Sequence, residues 1–252
     1  MPPDSTPDQG ILIGRRPVLE LLRSGRSPER VLIAQGLAPS GVLGEIRRRA
    51  GERGVPVRSV PRQEVDRIAA GANHQGVAAL VGRYRYSSLD DLLAGSDPTL
   101  LFLDGVTDPQ NLGSLLRSAE GAGFDGVVIP THRAAGVTPA VRRVSAGAAE
   151  LVPVARVSSL GNAIEAARAR GLWILGLDEK AEHDIWASRL TEPPVGLVLG
   201  SEGRGISSSI RDRCDDIARI PHRGRIGSLN VAVAGAIAMF EVARRRRPSV
   251  TL

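Results

Sequence analysis

"LLFLDGVTDPQNLGSLLRSAEGAG", Leu100–Gly123, sets the fold class of this chain. Leu100, Leu101, Phe102 and Leu103 form a near-continuous apolar run, as expected of a strand buried on both faces. Asp108 followed by Pro109 then starts a helix, because a carboxylate caps free backbone N–H groups and proline suits the first helical position. Leu112, Leu115, Leu116 and Ala119 recur at helical spacing and make one buried stripe, predicting a helix over 109–122. A buried strand running straight into an amphipathic helix is the unit of a parallel α/β sheet.

Asn111 and Arg117 are not needed by that stripe. Arg117 lies about 140° round the helix from Leu112. Gly113, in the first turn, costs about 1 kcal/mol against alanine, and such a glycine lets another group approach the backbone. Both Asn111 and Gly113 follow the carboxyl end of the strand, where open α/β sheets hold their ligands. Asn111 and Arg117 stand about 120° apart on an ideal helix, so they share a site only if Asn111 acts from the first turn and Arg117 reaches round. Taken singly, Asn111 reads equally well as a turn residue and Arg117 as a solvated one.

The rest of the chain repeats this rhythm. Residues 1–9 are a polar, Pro-rich arm. Residues 10–82 alternate short helices and strands and form a small α/β unit with its own core. Residues 83–98, with Ser, Gly and Pro and one short apolar turn, read as a linker. Residues 99–252 form a second α/β domain. Strands are predicted at "GVVIP", "LVPVARV", "LWILGL", "VGLVLG" and within "CDDIARIP". Helices are predicted at "VTPAVRRVSAGAAE", "SLGNAIEAARARG" and, closing the chain, "SLNVAVAGAIAMFEVARRRR". The expected architecture is a mostly parallel, doubly wound sheet.

Composition narrows the function. The net charge is +6, and Lys180 is the one basic residue that is not arginine among 33. A basic surplus of this kind points to a polyanionic partner, although a high-GC genome writes the same surplus. Scarce aromatics argue against an RNA-binding sheet that stacks bases on rings. Cys214 stands alone, so no internal disulfide forms and a reducing, cytoplasmic home is expected. The start lacks the features of a secretion signal, and the longest apolar stretch, at 231–240, is too short to span a bilayer. The four histidines show no metal-ligand spacing, so no metal site is expected. Trp173 and Trp186 read as core, and the arginine clusters at 47–49 and 142–143 as solvated helix faces.

Two further stretches carry chemistry. "LVLGSEGRGIS", residues 197–207, leads from a strand into a loop with glycines at 200, 203 and 205 and one carboxylate, Glu202. It is neither the dinucleotide fingerprint nor a P-loop, but its bare backbone groups suit an adenine edge or a ribose. "IPHRGRIGSLNVAVAGAI", residues 220–237, passes from a strand end through a basic loop into a helix. Ser228 can cap that helix and Asn230 falls in its first turn.

Together, in this order and at these separations, the three stretches resemble the signature motifs of the SpoU (TrmH-like) RNA ribose 2′-O-methyltransferases. "GRRPVLELL" and "HQGVAALV" resemble the substrate-binding domain that precedes the catalytic domain in the 23S rRNA guanosine methyltransferase branch. The resemblance implies a SPOUT-type catalytic domain, a parallel α/β sheet whose C-terminal part forms a deep trefoil knot, preceded by a small α/β RNA-binding domain. It implies S-adenosylmethionine as cofactor, held by Leu199, Gly200, Ile220, Pro221, Ser228 and Leu229, with the loop after Gly176 nearby. It implies a catalytic group of Asn111, Arg117, Glu202 and Asn230, and a homodimer. Ala232 departs from the family's Ser-Leu-Asn-Val-Ser-Val, which removes one auxiliary hydroxyl.

The implied reaction is methyl transfer to a ribose 2′-oxygen, of a guanosine in 23S rRNA. The rival readings are a tRNA ribose, an rRNA site tied to antibiotic resistance, and a non-catalytic RNA-binding protein on the same scaffold. In the family the counterpart of Arg117 is the proposed base. A guanidinium keeps its proton in proteins, so a phosphate-binding, charge-stabilising role is the physical alternative. All of this requires Arg117 and the loops around Gly200 and Leu229 to face one pocket.

Overall fold

Glycine-bounded apolar runs become strands and capped amphipathic runs become helices in a computed structural model of the chain, which describes residues 10–71, 73–221, 224 and 228–246. The arm at 1–9 and, except for Gly224, the basic loop at 222–227 with His222 lie outside the described residues. The chain first runs β1 (Gly10–Ile13), α1 (Arg15–Arg23), β2 (Arg30–Ala34), α2 (Gly41–Glu52), β3 (Val57–Val60), α3 (Arg62–Ala69) and β4 (Val77–Val81). It continues through α4 (Leu89–Leu92), β5 (Thr99–Asp104), α5 (Pro109–Gly121), β6 (Gly126–Pro130), α6 (Pro139–Val144) and β7 (Val154–Val157). It ends with α7 (Leu160–Ala169), β8 (Trp173–Leu177), β9 (Val195–Gly200), α8 (Ser208–Arg211), β10 (Asp216–Ala218) and α9 (Val231–Arg245).

These elements form two compact units. The first unit comprises the residues up to Arg85 together with Val137–Leu151. Its sheet has the order β1-β4-β2-β3. β2 and β3 are parallel, and β4 is antiparallel to β1 and β2. One face packs Val31, Ile33 and Val77 against Leu19, Leu22 and Ile46 of α1 and α2. The other packs Leu32, Ala34 and Ala78 against Val65 of α3. Residues 137–151, which lie inside the stretch read as the second domain, pack here: α6 lies against β1.

That packing corrects the reading of 142–143 as a solvated face. Arg143 is exposed, but Arg142 is 4% exposed. Its Nε donates to Glu150, itself buried, and its Nη1 donates to the carbonyl of Gly82 at 2.7 Å. A buried guanidinium needs such partners, because desolvation otherwise costs several kcal/mol. The helix predicted through 150 stops at Val144, where Ala146 and Gly147 take positive φ of 52° and 101° and turn the chain.

The second unit comprises Tyr86–Gly136 and Val152 onward. Its sheet is six-stranded, in the order β10-β8-β9-β5-β6-β7, and every pairing is parallel. The central strands β5 and β9 are buried almost throughout, as expected of strands covered on both faces. α5 and α9 pack together, while α7 contributes Ala163, Ile164 and Ala167 to a core with Leu100, Phe102 and Val198. Trp173 and Trp186 are 54% and 43% exposed, not core. Trp173 is the first residue of β8 and faces solvent, while Ile174, Leu175 and Gly176 after it are buried. Among the described residues no helix is long and apolar enough to cross a membrane.

Candidate functional site

Parallel register levels the carboxyl ends of the central strands. Asp104 of β5 pairs with Gly200 of β9, and Leu177 of β8 pairs with Leu199. The segments leaving these three ends must therefore meet. From β9 the chain makes a tight turn in which Ser201 and Gly205 exchange backbone hydrogen bonds at 3.1 and 2.9 Å. Gly200 permits it: a Cβ there would run into the backbone of Gly205 and Ile206. Glu202 projects from this turn. Asp104 receives the N–H of Ser207 at 2.8 Å and ties the turn's far side to β5.

From β5 the chain enters α5. Asp108 caps it through Gln110 N at 3.0 Å, with Pro109 next, which places Asn111 in the first turn. Asn111 is 8% exposed, a buried amide that needs partners. A further segment, the start of α9, which follows β10 in the chain, joins them, and there the cap is Asn230 and not Ser228. Asn230 Oδ1 accepts from Ala232 N at 2.9 Å and from Val233 N at 3.3 Å. A side-chain oxygen two or three residues ahead of free N–H groups is the geometry a cap requires, and Ser228 lies too far upstream.

With its oxygen committed to the helix, Asn230 turns its Nδ2 inward. That nitrogen donates to Asn111 Oδ1 at 2.9 Å and to Glu202 Oε1 at 2.6 Å. Asn111 Nδ2 donates to the same Glu202 Oε1 at 3.1 Å. Three residues from distant parts of the chain thus close one ring around a carboxylate oxygen. Hydrogen bonds to an ionised acceptor are shorter and stronger than neutral ones, so the ring holds its members in fixed orientation.

The ring edges a cavity of about 340 Å³. Leu199, Gly200, Ile220, Ser228 and Leu229 line it with Glu202 and Asn230, and so do Leu177, Asp178 and Lys180 at the end of β8. Pro221 is exposed and is not among the lining residues. Asp178, which the sequence reading did not single out, accepts from Lys180 N at 2.9 Å and from Arg211 of α8. A larger cleft of about 820 Å³, with Asp97, Asp125 and Arg246 in its wall, touches none of the ring residues. Chemistry, not size, marks the smaller one.

Arg117 does not join the ring. It is exposed and makes no hydrogen bond or ion pair among the described residues. The convergence of all four polar residues within one chain is therefore corrected to three. The cause is helical geometry: the approximately 120° between Asn111 and Arg117 sends them to different faces. Arg117 shares its face with Gly121, one turn on, and Phe240 of α9 packs against Gly121. Val233 and Phe240, seven residues apart on α9, are 49% and 52% exposed. Among the described residues no His, Cys, Asp and Glu cluster could hold a metal ion.

Sequence comparison assigns the scaffold. A sequence model of the SpoU rRNA methylase family matches residues 98–240, and one for RNA 2′-O ribose methyltransferase substrate binding matches residues 11–87. The chain belongs to the SpoU methyltransferase family. It is 38% identical over 242 residues to YacO of Bacillus subtilis, named for the TrmH family of tRNA/rRNA methyltransferases, covering 94% of this chain and 96% of that one. The AdoMet-bound rRNA methyltransferase of Sinorhizobium meliloti is 26% identical with a TM-score of 0.78, covering 94% of this chain and 87% of that one. The SpoU methyltransferase AviRb of Streptomyces viridochromogenes is also 26% identical, with a TM-score of 0.77 over 94% of this chain and 90% of that one. As a SpoU methyltransferase, the chain has its sheet order, its ring and its cavity on a scaffold built for methyl transfer.

Proposed function

We propose that this SpoU protein transfers a methyl group from S-adenosylmethionine to the 2′-oxygen of a ribose in RNA, and that its target is a guanosine of 23S rRNA. The observation that carries the reading is the Asn111–Glu202–Asn230 ring at the edge of a cavity lined by glycine backbone and by Leu199, Ile220 and Leu229. Fit to the cofactor is physical. The turn at Gly200–Gly205 offers backbone donors and acceptors to an adenosine, and the leucines cover its apolar faces. When bound, S-adenosylmethionine would supply a methyl group on a positive sulfur, a leaving group that would keep the electrons of the carbon–sulfur bond.

The chain's own residues have two tasks. They hold the ribose oxygen in line with the methyl, which contributes several kcal/mol, about 7 or more in well-aligned systems. They also stabilise the oxygen as it gives up its proton. Asn230 and Asn111 fix Glu202 Oε1, which leaves Oε2 to orient a ribose hydroxyl. Arg117, a permanent cation, fits the neighbouring phosphate and the charge growing on oxygen, while solvent or a phosphate oxygen takes the proton.

The rest of the reading is a homodimer, a C-terminal trefoil knot and a first unit that holds RNA. The exposed Val233 and Phe240 on α9 suit a second copy as cover. Arg117, on the adjoining face of α5, then stands at the seam between copies, within reach of a ring that its own chain leaves without it. The shared cavity of β8, β9 and the start of α9 supports the threading.

Mass-spectrometric mapping of ribose methylation in rRNA and tRNA, with and without the gene, tests the target: loss of one methyl from a 23S rRNA guanosine is expected, and an unchanged map refutes methylation. For the site, Arg117→Ala is expected to lose on the order of 100-fold in turnover with cofactor affinity intact by calorimetry. Near-normal turnover by that variant refutes the role of Arg117.

A further inference from the structure

The first unit has one end where four chain segments meet. Ile13 of β1 pairs with Ala78, Val77 of β4 pairs with Ile33, and Ala34 of β2 pairs with Val60 of β3. This register brings Arg15 and Arg16 after β1, Arg62 after β3 and Gln75 before β4 to the same end of the sheet. Arg16, Arg62 and Gln75 are exposed.

That end is rigidly built. His74, 7% exposed, places its Nε2 at 2.6 Å from Asp66 Oδ1, and its Nδ1 accepts the N–H of Gly76 at 3.0 Å. An Nδ1 that accepts leaves the proton on Nε2, so the ring donates to Asp66. The pair pins a turn in which Gln75 adopts a φ of 49°, a conformation that non-glycine residues seldom take. The pinned turn directs the Gln75 carbonyl to Arg15 Nε, which donates to it at 3.0 Å. Arg15 is thereby fixed through one nitrogen, with its two terminal nitrogens left for a ligand. The acids at this end are Asp66, taken up by His74, and Glu64 in the first turn of α3. On α1 and α2, by contrast, Arg23 pairs with Glu20 and Glu45, Arg48 with Glu52 and Arg49 with Glu45.

We propose that Arg15, Arg16 and Gln75 form the surface on which the first unit docks RNA, and that His74 and Asp66 are its positioning pair. The proposal rests on the RNA ribose methylation proposed above and adds the place of contact. Arg15 and Arg16 take backbone phosphates, the preanchored Arg15 at low entropic cost. Gln75 presents an amide that both donates and accepts, suited to a ribose hydroxyl or the edge of an unstacked base. The scarcity of aromatic residues agrees with docking by phosphate and sugar contacts, not by stacking.

The test uses the full-length protein and total rRNA from a strain lacking the gene, with filter binding for affinity and labelled methyl transfer for activity. Arg15→Ala, Arg16→Ala and Gln75→Ala are each expected to weaken RNA binding roughly tenfold. Each arginine variant should also flatten the salt dependence by about one unit of slope. Arg47→Ala and Arg58→Ala, exposed arginines elsewhere on the unit, should change affinity much less. Asp66→Ala should weaken binding although it removes a negative charge, with the salt slope unchanged, and Asp66→Asn should restore it by keeping an acceptor for His74. Cofactor affinity should be the same in every variant.

Equal losses in the Arg47 and Arg58 variants, wild-type affinity in the Arg15 and Arg16 variants, or no RNA binding by the wild type would overturn the docking surface. Wild-type protein that binds this RNA but transfers no methyl to any RNA would overturn the methylation reading instead.

Discussion

Asn230 does two jobs with one amide, and substitution can separate them. Its Oδ1 caps α9, and its Nδ2 closes the ring with Asn111 and Glu202. Asn230→Ala removes both. The lost cap costs about 1 kcal/mol. The two ring bonds, one of them to a carboxylate, add about 2–4 kcal/mol less whatever water recovers at this partly open site. Asn230→Ser keeps an oxygen for the cap but cannot reach Glu202, so it should unfold in urea about 1 kcal/mol later than Asn230→Ala. Both variants should transfer methyl groups at least about 100-fold more slowly, equivalent to about 2.7 kcal/mol of barrier. Urea titration followed by circular dichroism, with methyl transfer to rRNA assayed on folded protein, checks both halves. Wild-type turnover in Asn230→Ser would refute the ring's role in the reaction. Equal stability of the two variants would refute the cap.

Three further outcomes follow from the geometry. Gly200→Ala puts a methyl into the backbone of Gly205 and Ile206; it should cost about 1–3 kcal/mol and abolish tight cofactor binding by calorimetry, while wild-type affinity would mean that the turn yields freely. Arg142→Ala leaves buried Glu150 with only the ion pair to Arg26 at 3.7 Å and should cost about 3 kcal/mol in urea unfolding, whereas Arg142→Met combined with Glu150→Leu should cost clearly less. Burial pushes the Cys214 thiol up to about 12 from 9.0, so native protein at pH 8 should resist thiol reagents until it is unfolded. Because the unfolded thiol ionises first, the unfolded state holds fewer protons between about pH 9 and 12. Stability should therefore fall across that window by up to about 1.4 kcal/mol per pH unit relative to Cys214→Ala.

Periodicity made most of this architecture legible. The buried run at Leu100–Leu103 and the Asp108-Pro109 start gave β5 and α5 nearly residue for residue. β1 went unread because "GILI" is too short to show alternation and exists only through pairing with β4. The four-residue helix α4 showed only as a short apolar turn, and α8 went unread, since one turn carries no period. Arg142 looked solvated because its partner Glu150 is eight residues away, a separation that no helical spacing predicts. At the site, the sequence pointed to Ser228 as the cap with Asn230 in the first turn, and the backbone path makes Asn230 the cap instead. The angle between Asn111 and Arg117 was computable from the start, and it made their meeting in one ring depend on Arg117 reaching round the helix.

The ring also sets when in folding the site can exist. Its members lie 91, 28 and 119 residues apart along the chain. Asn111 waits on α5 with a buried amide, and Glu202 projects from a turn fixed mainly by β9. Asn111 Nδ2 reaches Glu202 directly, but the donor to Asn111 Oδ1 and the second donor to Glu202 Oε1 both come from Asn230. Asn230 in turn is placed by α9, which packs Gly235 close against the side-chain ends of Leu115 and Leu199. Long-range contacts of this kind form late, because loop closure is unfavourable until the flanking core exists. The ring is therefore expected to close last, once α9 has packed.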